Sequence, residues 1–422
     1  MILHPFNTPS VRFPIDQTFI RTSLRLSEVV AECNSEHVHL LPPDVRPYVR
    51  KIQHDAKDQR PHAFIPGGRP SDVVKVPTRK IFLDGYNSII LYATKDPDWI
   101  IHTIQFNPGN TIYGHNGHTL VEDEFLKALT VLGQIVKLVL ANPDEWHRVI
   151  PGVVENSPSY WHSLEIPYHV LDDTGLILRA FKNAKHPRIH KDPLYKRGGQ
   201  SIAFVNATGD LLVRIYRKDI EMTKTHGSHK ISAPPSVLRL EAQLKDAELR
   251  NYLRSGTTKV IDGTSRLVAF KPDDLRLAHL AVMTPFKGSY HQMPALDDKS
   301  DNNERIGRFM GWVSLHSDLS LEEQFSYYGQ RFLTGNTIHS IRNARSNLLG
   351  AARKELELMS PVKLEELFSD AAWDSQPMVP MPKLEAITKA RHEHIETDPL
   401  VIAAYGSRKS QHSDQLEDGP WT

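Results

Sequence analysis

A tyrosine, several glutamates and a set of cations recur at strand spacing in the middle of this 422-residue chain. One stretch is Leu211-Leu-Val-Arg-Ile-Tyr-Arg-Lys-Asp-Ile-Glu221; a second, after Pro234-Pro235, is Val237-Leu-Arg-Leu-Glu-Ala-Gln-Leu244. Side chains alternate across a strand. Val213 and Ile215 therefore share one face of the first stretch, and Arg214, Tyr216 and Lys218 the other. In the second, Leu238, Leu240, Ala242 and Leu244 form an apolar face opposite Arg239, Glu241 and Gln243. Laid in one sheet, the two strands would gather a phenol, a carboxylate and several cations on one surface. A phenol oxygen attacks phosphorus when a divalent ion neutralises the phosphate and a nearby cation favours phenolate. The same spacing also describes an amphipathic strand with a solvated polar face, so the surrounding chain has to decide.

A further acid lies upstream. Over Ser159–Val170, Leu164, Ile166, Tyr168 and Val170 point one way and Ser163, Glu165 and His169 the other. A carboxylate in mid-strand asks what it binds; Pro167 would equally suit an edge strand with Glu165 in solvent. Between these stretches runs a basic segment with Lys182, Lys185, Arg188, Lys191, Lys196 and Arg197. It is the local surface best able to follow a phosphate backbone, and Phe181 and Tyr195 are its candidates for stacking on bases.

The elements that would hold these groups read as follows. Thr22–Cys33 has helical spacing, and Pro42-Pro43 and Pro66–Pro70 mark turns. Ile81–Leu83, Ser88–Tyr92 and Trp99–Phe106 read as successive strands. The Gly- and Asn-rich segment Asn107–His118 reads as a loop carrying His115 and Asn116. Thr119 and Glu122 have capping-box spacing. The helix they open has apolar residues at Phe125, Leu129, Leu132, Val136 and Val139 and closes near Pro143. Gln200–Val205 and Leu211–Tyr216 read as a hairpin. Beyond Pro272 the pattern turns helical, with Leu319–Leu333, Thr337–Glu357 and Leu364–Trp373 as candidates. From about Arg391 the chain is charged and Ser- and His-rich, the composition of a mobile tail. The expected fold class is α+β, with a mainly helical C-terminal region. The expected divisions are 1–75, 76–270, a helical domain over 271–390, and the tail 391–422.

Composition narrows the function classes. Net charge is +1, so any nucleic-acid surface must be local. Cys33 is the one cysteine, which excludes an internal disulfide or a Cys-based zinc site and points to a reducing compartment. The N-terminal segment lacks the pattern of a secretory signal. The longest apolar stretch, Val131–Ala141, is broken by Gly133, Gln134 and Lys137 and cannot span a bilayer. A soluble cytoplasmic protein with no P-loop is the expectation. His37-Val38-His39 offers a separate possibility, a metal held by two histidines flanking one residue.

Taken in order, these motifs resemble the II/X family of phage and plasmid replication proteins, the gene II initiators of filamentous phages, and more distantly the rolling-circle initiators of small plasmids. The resemblance rests on Asn107-Pro108 with Gly114-His115-Asn116 and the helix Val121–Leu140, on Ser163-Leu-Glu-Ile166, on Tyr216-Arg-Lys-Asp-Ile-Glu221, and on Leu238-Arg-Leu-Glu-Ala-Gln-Leu244. It implies a nicking domain over 76–270, built of antiparallel sheets with helices packed on one side, in an enzyme that nicks one strand of a supercoiled origin, leaving a 5′-phosphotyrosine and a free 3′-hydroxyl for rolling-circle synthesis, and that later rejoins the displaced strand. By the same resemblance Tyr216 is the nucleophile, and Glu165 and Glu241 hold Mg²⁺ or Mn²⁺. Lys218 and Arg239 offset charge on the phenolate and phosphorus, and Glu221 is a third ligand or the ion-pair partner of Lys218. Where the family commonly has Arg-Ile-Asp, this chain has Ser163-Leu-Glu165, a longer carboxylate and one cation fewer. Supercoiled and single-stranded origin DNA are the implied partners, with host helicase and polymerase, in a bacterial cytoplasm. Two other readings stay open: a non-catalytic DNA-binding regulator, and a nickase of the paired-histidine class using His37 and His39.

Overall fold

A computed structural model describes residues 12–54, 77–83, 88–114, 119–172, 176–192, 201–218, 221, 237–291, 308–309, 312–313, 321–332, 342–350, 361–369, 373 and 396–406. Ten strands form one sheet. They are β1 (Thr18–Arg25), β2 (Val49–His54), β3 (Thr78–Leu83), β4 (Ile89–Lys95), β5 (Trp99–Phe106), β6 (Tyr160–Leu171), β7 (His190–Lys191), β8 (Ser201–Val205), β9 (Leu211–Arg217) and β10 (Val237–Lys245). Their order is β2-β3-β4-β5-β1-β6-β10-β9-β8-β7, and the described registers are antiparallel. The helices include α1 (Glu28–Ala31), α2 (Pro108–Tyr113), α3 (Glu122–Lys137), α4 (Leu176–Asn183), α5 (Asp246–Tyr252), α6 (Pro272–Met283), α7 (Leu321–Phe332) and α8 (Pro399–Tyr405). The fold class is α+β. No helix among the described residues is long and apolar enough to cross a membrane.

Contacts divide the chain into two units. The first comprises Met1–Pro167, Ala242–His279 and Lys383–Thr422. In it β1 lies between β5 and β6, and its burial alternates along Thr18–Arg25. Ile20 and Leu24 point to the same side as Ile81, Leu91 and Ile104, and all are buried. The helices stand on that side. Trp161, which pairs with Ile20, meets Tyr405 of α8 edge-on at 6.2 Å, and Tyr405 meets Phe125 of α3 at 6.2 Å. Phe13 stacks on Phe125 at 4.0 Å.

Several expectations are corrected here. Thr22–Arg25 is strand rather than helix, and only Glu28–Ala31 is helical. Its side chains fit a 2.0 period as well as a 3.6 period over so short a run, and pairing with β5 decides. Asn107–Gly114 is not a loop. The Asn107 side chain accepts from the Asn110 amide at 2.8 Å, Pro108 opens α2, and Gly114 closes it at φ 78°. The cap of α3 also moves by two residues: Glu124 accepts from the Val121 amide at 2.9 Å, where the sequence pattern puts Thr119 and Glu122.

Part of the expected tail is anchored. Asp398 caps α8, and Val401 and Tyr405 are fully buried. Seven residues, Pro399-Leu-Val-Ile-Ala-Ala-Tyr405, carry the apolar content that the charged flanks hide in a composition average. The Tyr405 hydroxyl accepts from the Trp161 indole at 2.9 Å and lies 2.6 Å from the Pro151 carbonyl and 2.8 Å from that of Val268. Burial pushes its pKa up, which keeps it a donor. Tyr405→Phe removes a partner from all three buried groups, so a loss of about 1–3 kcal/mol in unfolding free energy is expected in a denaturant titration.

The second unit comprises Tyr168–Glu241 and Leu280–Pro382. Its β8–β9 hairpin turns through Asn206–Asp210, where the Leu211 amide donates to the Asn206 side chain at 3.1 Å and Gly209 adopts φ 77°. Phe286 meets Phe204 at 4.9 Å and Phe181 at 5.3 Å, and these rings form its core. The C-terminal candidates hold in part. α7 falls within Leu319–Leu333, and 342–350 is helical with Arg342 and Arg345 exposed. Within Leu364–Trp373, Leu364–Leu367 form a 3-10 turn after the strand β14 (Pro361–Lys363), which pairs with β13 (Ser289–His291), and residues 370–372 lie outside the described residues.

Candidate active site

β10 is buried from Val237 to Leu244, so its polar residues are interior groups rather than a wet face. A charge there must be paired. Glu241 and Arg239 are each 1% exposed, and the strand places them on one side while Leu238 and Leu240 fill the other. On β9, Leu211, Val213 and Ile215 are fully buried, and Arg214 and Tyr216 are half-exposed. The pattern read from the sequence is thus the pattern of the strands.

The side chains meet at one carboxylate. The Tyr216 hydroxyl donates to Glu241 Oε1 at 2.7 Å. Arg239 Nε lies 3.0 Å from the same oxygen, and an Arg214 guanidinium nitrogen lies 3.0 Å from Oε2. Two guanidiniums thus offset the charge of the one carboxylate that accepts from the phenol. The Lys218 ammonium is 5.9 Å from the centre of the Tyr216 ring.

The chain is similar to a solved structure described as "Structure of Rolling Circle Replication Initiator Protein from Geobacillus stearothermophilus", with 12% sequence identity and a TM-score of 0.32, over 69% of this chain and 89% of that one. No protein-family model matches the sequence, and no curated protein matches it.

Glu165 is not an edge residue. β6 lies between β1 and β10, and Glu165 is buried. Gln243 donates to Glu165 Oε1 at 2.7 Å, and the Glu165 backbone pairs with Asp16 and Gln17 at 3.0 and 2.9 Å. Asp16 is also buried, held by the Asn107 side-chain amide at 3.2 Å. Asp16 and Glu165 each offer a carboxylate oxygen, and these atoms lie within 4.8 Å of one another. Two carboxylates gathered out of water repel each other, and oxygen donors of this kind suit a hard divalent cation.

The sequence pattern had no place for Asp16. Its signal was an acid embedded in Phe13-Pro-Ile-Asp16, an otherwise apolar run at a strand entrance. Nor did it give Arg214 a role. The Glu221 carboxylate oxygen is 2.5 Å from the Lys218 ammonium, the ion-pair alternative of the two expected for it.

The remaining candidates are dispersed. Lys182 lies on α4, half-exposed, and Lys185 and Arg188 are exposed in the segment after it. Phe181 is fully buried in the aromatic core and cannot stack on a base. His115, Asn116, Tyr195, Lys196 and Arg197 lie outside the described residues. His37 and His39 sit at a 3-10 turn, Val38–Leu40, not on a strand; both are exposed, with ring centres 6.4 Å apart.

Proposed function

We propose that this protein is a site-specific DNA nicking and closing enzyme of the rolling-circle type, related to the II/X replication initiators, with Tyr216 as its nucleophile. The observation that carries this reading is the phenol hydrogen-bonded to Glu241 between two guanidiniums. In the reaction the Tyr216 oxygen attacks a backbone phosphorus. A Tyr–O–P bond forms and the bond from phosphorus to the 3′-oxygen breaks. Glu241 is placed to take the phenolic proton, and the same proton leaves with the 3′-hydroxyl, so the step balances. Arg239 and Arg214 offset the charge that builds on the phosphoryl oxygens. Lys218 is buried under the tyrosine ring with Glu221 as its counter-ion, and it adds positive potential on that side.

Asp16 and Glu165 would hold Mg²⁺ or Mn²⁺, and the resemblance to the II/X initiators makes Glu241 a further ligand. Such an ion, when bound, supplies charge neutralisation of the attacked phosphate. One phosphodiester is exchanged for another, so cutting and rejoining need no nucleoside triphosphate, in keeping with a sequence that has no P-loop. Supercoiled and single-stranded origin DNA are the substrates under this reading, and host helicase and polymerase its partners in synthesis.

The test is to incubate the protein with a single-stranded origin oligonucleotide and Mg²⁺, digest it, and search by mass spectrometry for the nucleotide-bearing peptide. The expected adduct is a 5′-phosphate on Tyr216. An adduct on another residue, or cutting with no adduct, would overturn the assignment.

A further inference from the structure

The sheet of the first unit has a second face, opposite its helices. Registers across five strands place Lys80 opposite Tyr92, Tyr92 opposite Thr103, Thr103 opposite Arg21, and Arg21 opposite Tyr160. Directly opposed residues share a face, so these side chains form one row from β3 to β6. The neighbouring row is Phe82, Ile90, Gln105, Phe19 and Ser163, with Lys51 of β2 opposite Phe82. Lys80, Phe82, Tyr92, Gln105, Phe19, Arg21 and Tyr160 are all half-exposed, and Lys51 is exposed. The helix-side residues Ile81, Leu91, Ile104 and Ile20 are fully buried. This is a sheet face with aromatic rings held open to solvent in mid-sheet, where an exposed apolar group is informative.

Cations are interleaved with the rings. The Lys80 ammonium stands 5.1 Å from the Phe82 ring centre and 5.3 Å from that of Tyr92. Arg266 of β12 (Thr264–Ala269), which pairs with β11 (Thr257–Ile261), lies 4.8 Å from the Tyr160 ring centre. Arg21 donates to Thr103 at 2.7 Å. Neither row contains an Asp or Glu. The nearby Asp246 is engaged by His162 at 2.9 Å and by Arg266 at 3.6 Å. Rings offering flat faces beside fixed cations are what a chain of stacked bases on a phosphate backbone requires. A duplex hides its base faces, so the rings are useful only to a single strand.

We infer that this face, through Phe82, Tyr92 and Phe19 with Lys80, Arg21 and Lys51, is a docking surface for single-stranded DNA. Ser163 ends the second row, and Glu165 follows it two residues along β6, a step of about 7 Å on the same side. The inference borrows one thing from the proposed nickase reading, that the nucleic acid is DNA. It places the binding surface away from the basic segment around Lys182–Arg188.

The experiment measures fluorescence anisotropy of a labelled oligothymidylate in EDTA, where no cutting competes. Phe82→Ala/Tyr92→Ala is expected to bind it roughly ten- to a hundredfold more weakly than the parent. Lys80→Gln should lower the slope of log affinity against log salt by about 0.7, which a merely structural residue would not do. Circular dichroism and thermal melting confirm that both variants fold. Single-strand affinity within twofold of the parent in the double variant would overturn the inference. So would equal affinity for the matching duplex, or tighter binding of oligouridylate. The nickase reading fails separately, by the absence of a Tyr216 adduct, so the outcomes are distinguishable.

Discussion

Tyr216→Phe is expected to abolish strand cutting, by about a thousandfold or more, while leaving affinity for origin DNA unchanged. The substitution removes one oxygen and keeps the ring, so the packing beside the Lys218 ammonium survives. Glu241 loses its 2.7 Å donor but retains Arg239 and Arg214 within 3.0 Å, and its charge stays compensated. Because Tyr216 is half-exposed, the cost in stability should be no more than about 1 kcal/mol. The two effects separate cleanly. A nicking assay on supercoiled origin plasmid reads the chemistry, and anisotropy in EDTA reads the binding. If the phenylalanine variant keeps more than a tenth of the parental nicking rate, another nucleophile is at work.

What the sequence reveals about this site follows from the physics of strands. Alternation is a local property, so the pairing of Tyr216 with Arg214 and of Glu241 with Arg239 could be read residue by residue. So could the antiparallel hairpin of β8 and β9, because its turn residues are adjacent in the chain. Strand order is not local. Nothing in Thr18–Arg25 says that it will lie between β5 and β6, and without that insertion Asp16 has no reason to approach Glu165. The same gap hides the row from Lys80 to Tyr160, since each of its members comes from a different strand and only the registers align them. Helix ends misled in a different way. Thr119 with Glu122 and Val121 with Glu124 both have usable spacing, and the choice falls to the pair whose acid meets both the Val121 amide and the Tyr113 hydroxyl. Burial of that tyrosine, then its hydrogen bond to Glu124, pushes its pKa up and keeps it a donor there.

Asp16 supplies the sharper test of the metal site, because its two roles move stability in opposite directions. Without a divalent ion, Asp16 repels a second buried carboxylate, Glu165, and an oxygen of each lies within 4.8 Å of the other. Asp16→Asn relieves that repulsion at nearly constant volume and keeps an acceptor for the Asn107 amide, whose bond to Asp16 is 3.2 Å. In EDTA the variant should therefore melt no lower than the parent. Adding Mg²⁺ or Mn²⁺ reverses the order. A ligand at a hundred times its dissociation constant stabilises the folded state by about 2.7 kcal/mol, which raises the parental melting temperature by several degrees. Asp16→Asn should lose most of that rise, together with about a hundredfold or more of the nicking rate. A purely structural Asp16 predicts the contrary pattern: a lower melting temperature in EDTA and an undiminished response to the ion. Thermal melts of the two proteins, each with and without Mn²⁺, decide between these before any assay of activity is needed.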